Sequence, residues 1–227
     1  MEHGFNWLHW LPIPTHVATA ALVALLLLVF AFRVRPKLTD TAAAIDPQDG
    51  VTSRNLAEAL VEAITSMTEG VIGHHSEQYV PLLAAFFVFI LLANLIGLVP
   101  GFVPPTSNFN TTLGLGLVSF VAYNAYGMKA VGVGGHIRHF LGPVIWLGPL
   151  MLLVELFSHS FRPISLGIRL FANMFADHEV VSIFTSLTKL VIPVLFYVLG
   201  AFVCVVQAFV FTMLSAIYIS LSVSHDH

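Results

Sequence analysis

The end of the chain constrains it most: from Leu190 to Ser224, about 35 residues pass without one charged side chain. As one helix, rising about 1.5 Å per residue, this stretch would be roughly 50 Å long against a hydrocarbon core of about 30 Å. It belongs in a bilayer, and there it must tilt steeply, bend, or break near Pro193 or Gly200. Several other runs approach the roughly 20 apolar residues that a spanning helix needs. Residues 1–227 therefore read as a single integral membrane domain, an all-α polytopic membrane protein. Composition agrees: 57% of residues are hydrophobic and 9% charged, where soluble domains carry about a quarter charged. Nine Lys+Arg against twelve Asp+Glu give a formal charge of −3. With no basic field to hold a phosphate backbone, nucleic acid is not an expected partner. Cys204 is the single cysteine and lies in an apolar run. No intrachain disulfide or cysteine metal cluster is available, and Cys204 reads as a small core residue.

The first apolar run, from about Val17 to Phe32, is followed by Arg33, Arg35 and Lys37. A cleavable signal peptide has its basic end in front, so residues 1–38 are expected to remain as an N-terminal transmembrane anchor. The positive-inside rule puts the basic cluster in the cytoplasm and the Lys- and Arg-free start outside, with Trp7 and Trp10 as interfacial anchors. Asp40, Asp46, Pro47, Asp49 and Gly50 mark a polar loop over residues 39–52. Beyond it Leu56, Leu60, Ile64, Met67 and Val71 recur at helical spacing, with Arg54, Glu58, Glu62 and Glu69 on the other face. Residues 53–73 thus form an amphipathic helix, lying on the membrane or a partner, or else covering the protein's own cytoplasmic side.

Two spans, about Val80–Val99 and Leu113–Ala130, make a transmembrane hairpin over residues 78–130. Their connecting loop, Pro100 to Thr112, has no Lys or Arg and should face outward. Lys129 and Arg138 return the chain to the cytoplasmic side, and Gly132, Gly134 and Gly135 mark a turn there. From residue 140 to 224, Pro143, Pro149 and Pro163 can each kink or break a helix, which leaves the number of spans open.

Chemistry concentrates in Glu155 to Glu179, where Glu155, Arg162, Arg169, Asp177, His178 and Glu179 interrupt apolar sequence. An arginine at the bilayer centre costs about 2.5–3.5 kcal/mol on insertion scales, so it faces a protein interior or water. At 100° per residue, Glu155, Ser158, Arg162, Ser165, Arg169 and Asn173 fall within a wedge of about 80°. His178 points to the opposite side, so one helix can touch two compartments. The competing reading of Arg169 is a snorkelling or salt-bridged residue at a helix end. Arg162, just before Pro163, reads equally well as structural or functional. His178 alone is more often a core histidine, but Asp177 and Glu179 beside it favour proton handling. On the last helix Gly200, Cys204, Gln207, Phe211, Leu214 and Tyr218 share a face, on which Gln207 needs a hydrogen-bond partner. Packing against the Arg169 stripe would supply one; a backbone carbonyl is the alternative.

His178-Glu179 is followed by Val180, Val181 and Ser182, so the HExxH zinc-protease motif is absent, as are GxSxG and a P-loop. An intramembrane hydrolase therefore has no nucleophile or metal motif to rest on. His74-His75 and His225-Asp226-His227 read as adventitious metal binders, and no cofactor or dedicated metal site is expected.

Pro163 to His178 (PISLGIRLFANMFADH) together with Gln207 to Ser222 (QAFVFTMLSAIYISLS) resembles subunit a of F-type ATP synthases. Pro104 to Leu117 (PPTSNFNTTLGLGL) resembles the same family's segment between two spans. The resemblance covers about residues 75–227, with a looser fit of the amphipathic helix and first anchor. It implies an ion-translocating stator subunit, with protons as the expected ion, in the lipid bilayer of a bacterial plasma membrane or related energy-transducing membrane, not catalytic alone, with its N-terminus outside and C-terminus cytoplasmic. Its partners would be the c-subunit ring, the peripheral-stalk b subunits and the remainder of the ATP synthase complex. The chain would supply two offset half-channels, and its last two helices would form a long, steeply tilted hairpin along the ring. Arg169 matches the family's essential arginine, Asn173 and Gln207 its polar neighbours, and Glu155 and His178 positions lining the ion path. Ser165 and Tyr218, on the same faces, join this candidate set. Many members place a histidine where this chain has Gly200 and an acid where it has His178; Asp177 or Glu179 is the candidate replacement for that acid. The reading from a different class is a free-standing proton-coupled secondary transporter, with Arg169 binding an anionic substrate and Glu155 coupling to a proton.

Overall fold

The computed structural model describes residues 12–39, 52–73, 76–141, 148–188 and 191–223. Among the described residues there are six α-helices and no strand: α1 (Thr15–Thr39), α2 (Ser53–Ile72), α3 (Val80–Leu95), α4 (Phe109–Leu141), α5 (Gly148–Leu187) and α6 (Val191–Val223). Trp7, Trp10, the polar loop from 40 to 51, His74-His75, Pro143 and the terminal His225-Asp226-His227 lie outside the described residues. Three helical segments are long and apolar enough to cross a membrane: Thr15–Val34, Val80–Leu98 and Pro193–Val223. The fold is that of an all-α polytopic membrane protein.

The long apolar stretch does not break. α6 runs its 33 residues through both Pro193 and Gly200, because Pro193 falls in the first turn, where a missing N–H leaves no intrahelical bond unmade. α5 likewise continues for 40 residues through Pro163. The turn anticipated at the glycine cluster is real but local: within α4, Gly132 leaves helical geometry with φ 78° and ψ 158°. α4 covers the anticipated span Leu113–Ala130 yet is not among the three apolar segments. Two polar contacts tie it to α6. Ser119 and Ser215 hydroxyls lie 2.9 Å apart across α4 and α6, and Ser222 Oγ donates to the Tyr123 carbonyl at 2.8 Å.

Two apolar clusters hold the bundle. One joins Phe86 and Ile90 of α3, Leu166, Leu170 and Met174 of α5, and Cys204, Ala208 and Phe211 of α6. Cys204 is a buried free thiol in that core. The other joins Ile64 of α2 to Tyr79, Leu83, Tyr123, Ala216 and Ile219. α4 and α5 meet at bare backbone: a Cβ on Gly116 would overlap the Pro163 carbonyl, and one on Gly167 would lie 3.0 Å from Leu113 Cα. Small residues let helices in lipid approach this closely, since dispersion rather than water exclusion holds them together.

α2 packs against the protein's own chain through Ile64. Its buried face differs in detail from the apolar pattern. Arg54, assigned to the polar face, is 2% exposed, while Leu56 is 58% exposed. The helix is rotated toward the fully buried Thr68, whose hydroxyl bonds back to the Ile64 carbonyl at 2.6 Å. That rotation takes Arg54 inward, where its Nε donates to Glu58 Oε1 at 2.6 Å.

Candidate functional site

α5 and α6 carry the polar residues of the site. Where they pack together, two contacts join them at different heights. At the first, Arg162 lies 3.7 Å from Glu155 and its guanidinium sits 5.4 Å from the centre of the Tyr218 ring. At the second, Asn173 Nδ2 donates to Gln207 Oε1 at 2.7 Å. Gln207, 4% exposed, thus takes its partner from the Arg169 stripe rather than from a backbone carbonyl.

Arg169 lies between these contacts and joins neither. It is exposed, and among the described residues no carboxylate comes within salt-bridge distance of it. It stands 21 residues after the first residue of α5 and 18 before the last, in the middle of the helix rather than at an end. Around Arg169 the exposed surface is unusually low: Ser158, Ser165, Ala172 and Ala176 share its side of α5. Ile168, 47% exposed and about 100° round the helix from Arg169, stands beside this strip.

The opposite side of α5 faces a small cavity. Asp177 and His178 line it with Asn94 and Leu98 from the α3 end and Tyr197 from α6. Glu179 remains exposed on the outer side. Asp177 also meets Gly200, where a Cβ would lie 2.7 Å from Asp177 Oδ2 and 3.2 Å from Oδ1. The glycine therefore leaves room for the carboxylate. Of the two acids flanking His178, only Asp177 faces inward.

Two groups escaped the sequence reading. Asn94 is fully buried and bonded to Thr106; its position inside an apolar run is the signal that singled out Gln207. His159 is 8% exposed, with Nε2 2.9 Å from Asn124 Oδ1 and the Tyr123 hydroxyl 3.4 Å from Nδ1. Its signal was weaker, because a histidine between two serines looks like surface. Among the described residues no group of three or more His, Cys, Asp or Glu is placed to hold a metal ion.

The family described as ATP synthase A chain matches residues 16–220. The chain belongs to that family. The match takes in α1 and α2, which the motif resemblance fitted only loosely. An ATP synthase subunit a from Bdellovibrio bacteriovorus is 42% identical over 228 residues, covering 99% of this chain and all of the relative. ATP synthase subunit a 1 from Pelobacter propionicus is 39% identical over 93% of this chain and 88% of its own length. A Citrifermentans bemidjiense ATP synthase subunit a is 44% identical over 77% of this chain and 76% of its own. As a subunit a, the chain is an integral membrane stator subunit of the F-type ATP synthase.

Proposed function

We propose that this subunit a conducts protons between the two sides of a bacterial plasma membrane through two offset half-channels, with Arg169 separating them against a rotating c ring. The observation that carries this reading is the placement of Arg169 at mid-helix, exposed, with no carboxylate in salt-bridge distance among the described residues, on a surface of Ser165, Ala172 and Ala176. A ring that brings a carboxylate to that surface completes the pair. The guanidinium favours the ionised carboxylate, lowers its pKa and releases its proton into the exit half-channel. It also repels cations that would leak straight across. Arginine suits the task because it does not lose its own proton near neutral pH.

Glu155 and His178 belong to different half-channels in this reading. Along α5 they lie about 21 Å and 14 Å from Arg169, on either side of it, at 1.5 Å per residue. Asn173 and Gln207 fix each other beside the arginine and present an amide to the ring. Tyr218 supports Arg162. The peripheral-stalk b subunits hold the subunit still while the ring turns, and the basic cluster in the last turns of α1 lies in the cytoplasm, with the N-terminus outside.

The test is ATP-driven proton pumping in sealed vesicles containing the assembled complex, wild type against Arg169→Ala. Loss of pumping with the complex intact supports the gate. Pumping at the wild-type rate overturns it.

A further inference from the structure

The cavity behind Arg169 contains a polar group that the half-channel reading leaves without a role. Asn94 is 0% exposed, near the end of the apolar segment Val80–Leu98. Its Oδ1 accepts from Thr106 Oγ1 at 2.6 Å, and its Nδ2 has no hydrogen-bond partner among the described residues. Turning the amide end for end does not help, since Thr106 can serve only the atom that faces it. Buried amides are almost always paired, with protein or with ordered water. The cavity that Asn94 lines offers about 10 Å³ of room for a water centre, about that of one molecule. Asp177, His178 and Tyr197 line the same space, so a water there has the two to four polar partners it needs. The helix facing Asp177 contributes Gly200, whose missing side chain leaves the carboxylate its position.

We propose that Asn94 is a positioning residue that holds a water molecule against Asp177, and that this water delivers protons to the Asp177 carboxylate. The proposal rests on the half-channel reading. Asn94 Nδ2 donates to the water oxygen, which leaves a water hydrogen free to point at Asp177. A proton reaching the water from its other side passes through: the water gives one proton to the carboxylate as it accepts one, so it stays neutral and Asp177 becomes a carboxylic acid. Release toward the ring returns the carboxylate.

The test is ATP-driven pumping by the assembled synthase in sealed vesicles. Asn94→Leu is expected to lower the rate about tenfold, the factor that one lost hydrogen bond of ordinary strength gives. Asn94→Ser, which keeps a group able to bond water, should regain at least half. In Asp177→Asn, adding Asn94→Leu should cause no further loss, because both act on one step. Wild-type pumping by Asn94→Leu overturns the proposal, as do losses that multiply in the double variant. Should Asn94→Leu fail to assemble, a cryo-EM map of the wild-type complex decides: it should hold a water within hydrogen-bond distance of Asn94 and Asp177. No such peak, in a map that resolves other buried waters, overturns it. Arg169→Ala measured alongside separates the two readings: if it pumps normally the half-channel reading fails, and if it is dead while Asn94→Leu is normal only the water site fails.

Discussion

Arg169 and Gln207 illustrate opposite ways of keeping a polar group in an apolar chain. Gln207 is buried and internally paired with Asn173, whereas Arg169 is exposed without a carboxylate within salt-bridge distance among the described residues. The first is complete in the folded subunit, and the second waits for a charge from outside. Arg169→Lys should therefore assemble but lose coupled transport at least tenfold, since a desolvated lysine can give up its proton. Near-normal ion-driven ATP synthesis by that variant would sink the assignment. Gln207→Leu should be milder. Asn173 is exposed and can find another acceptor, so pumping should fall severalfold with the complex intact; an unchanged rate would make the pair purely structural.

At the scale of the helices, the contact between α4 and α5 depends on what two positions lack. Gly116 faces the Pro163 carbonyl with no room for a Cβ, while two residues away Gly114 has nothing within 4 Å. Alanine gains about 0.8–1.0 kcal/mol over glycine in a helix interior, and overpacking a tight contact costs about 1–3 kcal/mol. The same substitution should thus have opposite signs: Gly114→Ala raises or preserves the melting temperature of the complex in detergent, and Gly116→Ala lowers it. Equal melting shifts would mean that α4 and α5 do not pack through Gly116. Pattern alone located α4 but not its neighbours. The glycines of Gly114 and Gly116 look alike in sequence, and only the crossing of α5 makes one of them indispensable.

For the whole molecule, the feature that matters is the low strip on the outer face of α5. Ser158, Ser165, Ala172 and Ala176 share one side of α5 with Arg169, and the exposed Ile168 stands beside them. A partner helix can approach backbone closely there. Ala172→Phe should leave the fold of the subunit intact, because position 172 is exposed, yet reduce pumping by the assembled complex at least tenfold. Wild-type pumping by this variant would show that the ring does not run along that strip.

The sequence by itself determined the membrane class, the helices and the polar stripe, because periodicity and hydropathy are local properties of the chain. Leu190 to Ser224 had to be long helix in lipid, and Glu155 to Asn173 had to share a side of α5 whatever surrounded it. Which neighbours those residues met was another matter. The rotation of α2 that buries Arg54, the pairing of Asn173 with Gln207, and the meeting of Asp177 with Gly200 beside Asn94 all depend on how helices far apart in sequence pack. Gly116 and Gly167 admit neighbouring backbone and Gly200 admits the Asp177 carboxylate, and a glycine in a sequence does not say what it makes room for.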